Sequence, residues 1–398
     1  MTGAVFDVAV VGAGPAGATA AYLTANAGLS TVLLERRSII GIPVRCAEAI
    51  FRVKLPDFIS PRPEWIARSV ETLRLVAPDR SFTDFNLKED GRTVLVLDRG
   101  VFDRHLVELA AAAGAKVRIG SRVTGLLRNC KAVSGVQVVS RGCTEHIQAR
   151  IVIAADGVES QVARWAGLQT GLDASGICAC AQYTLCGVSQ NTPKYLHLYL
   201  GRSLAPGGYA WAFPKQGDIW NVGLGIRPSF VKTQGQTAQS LLDSFVEERF
   251  AEATRVGFVV GAVPVDGRDV KAYGEGIMVV GDAAHQANPL HGGGIINGIK
   301  GAIIASETAI EAFSAGDFSS YILRRYQSRC QALFWKRFEH LVRIRQGMDI
   351  LDDMAFNRVV RILGESASGS LFDFVRTAIR HDPGLLAEFA KLAVYGYR

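Results

Sequence analysis

Apolar positions in the first forty residues fall into two short runs around a helix-forming stretch. Phe6–Val11 reads FDVAVV, a run dense in β-formers of the kind that makes a buried parallel strand. The Gly12–Gly17 turn follows it directly. ATAAYLTANAG then predicts a helix that stops at Gly28, a C-cap glycine. Leu29–Leu34 (LSTVLL) predicts a second strand, ended by Glu35. Two similar runs come later: Ile151–Ala155, ended by Asp156-Gly157, and Ile277–Val280, ended by Gly281-Asp282. Elsewhere the period changes to two. TLRLVAP, YLHLYLG, YAWAFP and NVGLGI alternate, as strands of an antiparallel sheet do. Near the C-terminus, LRRYQSRCQALFWKRFEHLVRIR, LFDFVRTAIRH and LLAEFAKLAVYGY have helical spacing.

These periods predict an α/β (α+β overall) chain with a Rossmann-like domain. Residues 1–66, 98–167 and 266–315 form that discontinuous domain. Residues 67–97 and 168–265 form an antiparallel-sheet substrate domain, and 316–398 a C-terminal helical region. No apolar run reaches the roughly 18–20 residues of a spanning helix, and no basic patch precedes an apolar stretch, so no secretory signal is expected. With 48% hydrophobic and 20% charged residues, a disordered chain and a membrane bundle are both excluded. Seven cysteines lack the spacing of a disulfide scaffold and suit a reducing cytosol. The net charge of +7 suits nucleic acid, anionic lipid or a phosphorylated substrate. The charge is spread, however. Its concentration near Arg324, Arg325, Lys336, Arg337, Arg343 and Arg345 reads as a solvated helix face, and no nucleic-acid partner is expected.

The first turn carries chemistry. Gly12 permits the tight turn, Gly14 clears space for a pyrophosphate, and Gly17 lets the helix pack close to the strand. Pro15 and Ala16 open the helix, whose free N–H groups suit phosphates. Glu35 lies 21 residues beyond Gly14, where an acid accepts hydrogen bonds from an unphosphorylated ribose. That favours FAD or NAD over NADP. The Gly281-Asp282 segment, with a helix starting near Gly292-Gly293-Gly294, selects FAD. A ribityl chain and isoalloxazine need such a segment, and NAD does not.

The glycine fingerprint with its Glu, the Asp156-Gly157 pair and GDAA…NP resemble the flavoprotein monooxygenase superfamily typified by para-hydroxybenzoate hydroxylase, in order and spacing over roughly residues 1–310. In that superfamily the residue matching Asp282 holds the ribityl chain. The residue matching Arg99, in LDRGVFDRHL, lies along the phosphates and ribityl. Three further segments, YAWAFP (209–214), RCAE (45–48) and NPLHGGGI (288–295), look like the geranylgeranyl reductase family, most closely its archaeal-type branch acting on isoprenoid ether lipids. There YxWxFP lines the prenyl pocket and RCxE lies near the flavin. The resemblance implies cofactor contacts from Gly12, Gly14, Pro15, Ala16, Gly17, Glu35, Arg36, Arg45, Cys46, Ala47, Arg99, Val123, Asp156 and Gly157. It adds Gly281, Asp282, Ala283, Pro289, Gly292, Gly293, Gly294 and Ile295. One departure stands out: His291 occupies a position where many family members carry a small hydroxylated residue, and its role stays open.

Saturating an isolated trisubstituted alkene needs a hydride at one carbon and a proton at the other. Positive charge builds at the more substituted carbon. Tyr209, Trp211 and Phe213 alternate and so share one strand face. They offer apolar walls to a prenyl chain and electron-rich faces to the reacting carbon, each worth about 0.5–2 kcal/mol. Cys46 is the catalytic cysteine candidate, as proton donor or as a shaper of the pocket. Arg45 has Glu48 or a phosphate open to it. Cys178, Cys180 and Cys186 lack the spacing of a zinc site, and Cys178 and Cys180 read as packing on one strand face. His197 reads as a strand residue without chemistry, and His285 as a neighbour of Asp282. The reading is an FAD-dependent reductase of geranylgeranyl chains on glycerol ether phospholipids. Its electron donor is NADPH, NADH or reduced ferredoxin. It is cytoplasmic, with peripheral contact at the inner face of the membrane. An aromatic hydroxylase of the same fold and a prenyl-quinone side-chain reductase are the alternatives. A flavin halogenase lacks support, since its WxWxI strand segment is absent, and a flavin-binding adaptor would leave the aromatic strand and the Cys46 loop unexplained.

Overall fold

The computed structural model describes residues 5–87, 93–188, 194–231 and 235–365. The elements used below are, in chain order, β1 (Phe6–Val11), α1 (Pro15–Asn26), β2 (Thr31–Leu34), α2 (Arg99–Ala112), β3 (Cys143–Ala154), β4 (Ile177–Cys186), β5 (Tyr209–Pro214), β6 (Trp220–Ile226), β7 (Ile277–Val279) and α3 (Ile295–Ala315). The chain forms two compact units. One comprises Met1–Val44, Arg99–Asp173 and Val263–Glu339, the other Arg45–Asp98, Ala174–Ala262 and His340–Arg398.

The first unit is built on parallel strands in the order β7, β3, β1, β2 and Lys116–Arg118. Tyr273–Gly274 adds an antiparallel edge. The strands are apolar because helices cover both faces of such a sheet. Val8–Val11 and Thr31–Leu34 are buried throughout. Val11 stands opposite both Leu34 and Ala154, and Ala154 opposite Val279. The carboxyl ends of four strands therefore finish level, and Gly12, Glu35, Asp156 and Asp282 follow them within three residues. Ligands of open parallel sheets bind outside these strand ends. The start of β3 belongs to an antiparallel meander with Ser121–Asn129 and Ala132–Ser140.

The second unit has a seven-stranded sheet in the order Thr254–Pro264, β4, β6, β5, Tyr195–Tyr199, Thr72–Val76 and Phe82–Asn86. Its β4–β6–β5 centre is antiparallel, whereas Tyr195–Tyr199 and Thr72–Val76 run parallel. Alternation divides the faces. Val222, Leu224 and Ile226 pack with Ala181, Tyr183, Leu185 and the helix Ala238–Arg249. Trp211 and Phe213 lie on the opposite face with Leu196, Val70, Val94 and Val96. A small antiparallel sheet joins Ala49–Phe51, Val94–Leu97 and Ile66–Val70.

The boundaries differ from those expected in two places. Residues 45–66 cluster with the second unit, because Ala49–Phe51 and Ile66–Val70 both pair with Val94–Leu97. The helical tail makes no third unit among the described residues. Ser320–Cys330 packs on Tyr273–Gly274 and β7, whereas Asp353–Glu365 packs on Phe82–Asn86. LFDFVRTAIRH and LLAEFAKLAVYGY lie outside the described residues. At the start of the chain, β2 begins at Thr31 rather than Leu29. The Ser30 carbonyl instead accepts the Asp7 and Val8 amides.

Candidate functional site

The first unit shapes a dinucleotide cradle at its strand ends. Gly12 has φ +100°, and a Cβ there would stand 2.4 Å from the Ala155 carbonyl oxygen. A Cβ on Gly17 would meet the Gly12 oxygen at 1.8 Å. Both glycines are required by the protein itself. Gly14 is not: its φ is −71°, and a Cβ would have no atom of the described residues beyond its chain neighbours within 4 Å. That glycine keeps open a space the protein does not fill, directly before the N–H groups of α1. Pro15 is the first residue of α1, and the Ala16 methyl lies against Gly281 and Gly298. Glu35 accepts the Ala13 amide at Oε2 and the Arg37 amide at Oε1, both at 2.9 Å. A carboxylate has about four acceptor sites, so capacity for ribose hydroxyls remains. Arg36, expected at the cofactor, pairs with Glu159 at 2.7 Å on the surface.

Asp156 follows β3. Its Oδ2 accepts the Val162 amide at 2.9 Å, while Oδ1 is buried with no hydrogen-bond partner among the described residues. Burial pushes its carboxyl up from the ordinary range. An orphaned buried acceptor at a strand end is what a ligand hydroxyl would satisfy. Gly157 continues the turn at φ +77°. Val123 is buried on Ser121–Asn129, opposite Val138, where its side chain packs in the core.

Asp282 is half-buried in a turn that follows β7, between Gly281 (φ +69°) and the fully buried Ala283. Burial pushes its carboxyl up to about 6, against the opposing pull of Arg99 and His285. Arg99 opens α2 and is held by both Asp103 oxygens, at 2.7 and 2.8 Å. A Cβ on Gly294 would lie 2.7 Å from Asp282 Oδ1. Glycine there lets the carboxylate sit over the start of α3, whose N-cap, Gly294, offers no side-chain bond. The helix begins at Ile295, just beyond the expected glycines. In the Pro289–Gly294 turn, Asn288 Oδ1 accepts the Leu290 and His291 amides, and Gly292 takes φ +70°. His291 Nδ1 accepts the Gly293 amide at 3.1 Å, which leaves the neutral ring's proton on Nε2. His285 faces Asp266 at Nδ1 (3.0 Å) and the Thr170 carbonyl at Nε2 (3.1 Å), so its ring is committed within this unit.

Asp282 makes a pH prediction. With the folded carboxyl near 6 and the unfolded one near 4, the native state binds more protons between those values. Stability of the FAD-free protein should therefore fall as pH rises from about 4 to about 6, by on the order of 1–3 kcal/mol. Asp282→Asn should flatten that slope in a melting-temperature series. An equal slope in both proteins would refute the assignment.

The second unit presents an aromatic face in three rungs across β5, β6 and β4. Tyr209, Gly225 and Cys180 stand in register, then Trp211, Gly223 and Gln182, then Phe213, Asn221 and Thr184. The middle strand is glycine in the first two rungs. A Cβ on Gly223 would meet the Trp211 ring at 2.5 Å, so the indole lies across the strand. Its Nε1–H donates to Gln182 Oε1 at 3.0 Å, a buried bond that fixes the ring. Tyr209 and Trp211 meet edge to face at 6.0 Å, and burial raises the Tyr209 hydroxyl well above its ordinary range.

The Arg45–Glu48 segment belongs to this unit. Arg45 is exposed, and Ala47 packs against the aromatic cluster. Cys46 Sγ accepts the Glu48 amide at 3.2 Å. Glu48 is buried at φ +72° and accepts Lys215 Nζ at 2.8 Å and Asn221 Nδ2. Glu48 thus ties the cysteine loop to the third rung.

Comparison with known proteins assigns the chain. The sequence profile of the geranylgeranyl reductase catalytic domain matches residues 176–263, and that of FAD dependent oxidoreductases matches residues 7–206. A digeranylgeranylglycerophospholipid reductase of Methanothrix thermoacetophila is 40% identical over 391 residues, 98% of this chain and 99% of its own. The chain belongs to the geranylgeranyl reductase family. A protein of the same name from Methanosarcina mazei is 43% identical over 317 residues, 79% of this chain and 77% of its own. A geranylgeranyl bacteriochlorophyll reductase-like structure from Thermoplasma acidophilum superposes with a TM-score of 0.89 at 31% identity, covering 98% and 99% of the two chains. A flavin-dependent brominase, at 16% identity and a TM-score of 0.72 over 94% and 98% of the chains, shares the fold.

The reductase is an FAD-dependent oxidoreductase. Open space at Gly14, the orphaned Asp156 oxygen and the Asp282 carboxylate fit such a cofactor. Sequence reading missed Gln182, Lys215 and Asn221, which hold Trp211 and Glu48. It also missed Asp103, although a carboxylate four residues after Arg99 on a helix signals that pair. Glycines at 223 and 225, alternating with Val222, Leu224 and Ile226, mark a bare strand face that NVGLGI displays openly.

Proposed function

We propose that the reductase saturates double bonds of geranylgeranyl chains on glycerol ether phospholipids. The observation that carries this reading is the aromatic face over the bare strand β6. It gives an apolar chain a flat wall of Tyr209, Trp211 and Phe213. When bound, reduced FAD supplies a hydride. Glu35, Asp156, Arg99 and Asp282 would hold its ribose, ribityl and phosphate groups. Tyr209 and Trp211 direct electron-rich rings at the carbon where positive charge builds, and Gln182 keeps the indole from turning. Phe213, Leu196 and Val96 keep water from the alkene. NADPH, NADH or reduced ferredoxin would be the electron donor. No helix of the described residues is long and apolar enough to cross a membrane, and a bilayer-borne substrate implies a peripheral contact.

The test is anaerobic. Enzyme reduced with dithionite is mixed with vesicles of digeranylgeranylglycerophospholipid, and the lipid is analysed by mass spectrometry. Gain of two hydrogens per double bond is expected. Unchanged lipid, with oxygen consumption on addition of phenolic substrates, would instead favour the hydroxylase. Trp211→Leu should keep its flavin spectrum while kcat falls about 2- to 30-fold, the range of one lost cation–π contact. A kcat equal to wild type would remove the electrostatic role of the ring and leave it a wall.

A further inference from the structure

We propose that the Cys178–Cys180 thiol pair supplies the proton that completes saturation of the prenyl double bond. The inference rests on the reductase reading above. Both thiols lie on the aromatic face of β4, with Sγ atoms 3.9 Å apart. Cys180 packs in the same cluster as Tyr209, Trp211 and Phe213. It stands directly across from Tyr209 with only Gly225 between them. A Cβ on Gly225 would come within 2.7 Å of Cys178 Sγ and 3.2 Å of Cys180 Sγ. Any other residue there would crowd both sulfurs, so this glycine makes room for them on the aromatic face. Trp211, Phe213, Leu196 and Val96 around them carry no proton suited to transfer to carbon.

The pair is electrostatically asymmetric. The charged or titratable groups that act on it are Arg227, Arg345, Tyr209 and Cys46, with Asp349 paired to Arg227. The hydrogen bond from Cys180, together with the two guanidinium groups, draws the Cys178 thiol below its ordinary range, and Cys178 and burial hold Cys180 well above its own. Cys180 therefore keeps its S–H at neutral pH, and Cys178 is the better place for a negative charge. Cys46 lies apart from the pair on its loop, where its sulfur accepts the Glu48 amide.

The step balances. The Cys180 S–H bond breaks and a C–H bond forms at the less substituted alkene carbon. The hydride from reduced FAD closes the other carbon, so the alkene is reduced and the flavin oxidised. The Cys178 proton passes to Cys180 Sγ. The resulting Cys178 thiolate is favoured by the charges of Arg227 and Arg345 and takes a proton from solvent.

The test compares wild type with Cys178→Ala/Cys180→Ala and Cys178→Ser/Cys180→Ser, each dithionite-reduced under argon with digeranylgeranylglycerophospholipid vesicles. The alanine pair should keep its flavin absorbance, while turnover falls by about 100-fold or more, as for loss of a general acid. Its pH–rate profile should lose the thiol limb, and its solvent deuterium isotope effect should change. Independently of turnover, iodoacetamide should alkylate Cys178 at lower pH than an ordinary thiol in wild type, and at ordinary pH in Cys180→Ala. Turnover within about twofold of wild type with an unchanged pH profile would overturn the proposal. If the alanine pair does not retain FAD, the serine pair is judged by the same two outcomes. A wild-type enzyme that saturates no lipid overturns the reductase reading itself, a distinct failure.

Discussion

Gly14→Val gives a protein that folds but does not hold FAD. The backbone at Gly14 has φ −71° and ψ 179°, which valine adopts readily. A Cβ there touches no atom of the described residues beyond its chain neighbours. Because Gly14 is the N-cap of α1, where valine caps poorly, the FAD-free stability should fall by only about 1 kcal/mol. The same side chain enters the space before the first N–H groups of α1, where a pyrophosphate must approach the backbone. FAD affinity should fall at least about 100-fold, or roughly 2.8 kcal/mol. Flavin fluorescence quenching reads the affinity, and urea unfolding of the FAD-free protein reads the stability. Gly17→Val is the contrast. Its Cβ would overlap the Gly12 carbonyl, so it should lose stability and cofactor together. Wild-type FAD affinity in Gly14→Val would show that the phosphates lie elsewhere.

Glu48→Ala is the second large effect, and it falls on stability. Glu48 has a side-chain exposure of 2%, and its Lys215 partner 18%. Removing the carboxylate leaves the lysine charge and the Asn221 amide without their acceptor in a closed environment. Breaking a buried pair from one side costs about 3–5 kcal/mol. The left-handed backbone at Glu48 adds to this, because side-chain bonds hold a conformation that non-glycine residues disfavour. Glu48→Gln keeps an acceptor for Asn221 and should cost less. Lys215→Met added to Glu48→Gln should recover part of the loss, since the pair is then removed from both sides. Equal urea midpoints for wild type and Glu48→Ala would show that the loop is held by other means.

Much of the cofactor cradle was legible because its logic is local. Gly12, Gly14 and Gly17 sit within six residues, and their spacing distinguishes a turn glycine, one facing open space and one in a helix contact. Strand ends carrying Glu35, Asp156 and Asp282 were equally readable, as each apolar run stops at a carboxylate or just before one. Alternation placed Tyr209, Trp211 and Phe213 on one face, and Cys178 and Cys180 on one face, as found. Partners distant in sequence were not readable. Gln182 reaches Trp211 across 29 positions and Lys215 reaches Glu48 across 167, through strand registers that no single segment encodes. The ion pair of Arg36 was unreadable in the same way, because its partner Glu159 lies 123 positions along the chain. The helical tail was read as one body because its spacing is uniform, yet its described helices pack on different sheets.

The first unit is assembled from three stretches of chain, with segments of the other unit translated between them. The strand β7 and the Asp282 turn leave the ribosome more than 260 residues after Gly12. Until then β3 has an unpaired edge, and Ala16 lacks the glycines it rests on. Synthesis from the N-terminus thus produces a nascent chain that displays the phosphate loop early but closes the flavin cradle late. Long-range pairing of this kind is slow to form. Cofactor capture is accordingly a late event in the birth of the enzyme, and ribosome-bound chains ending before β7 should emerge without flavin.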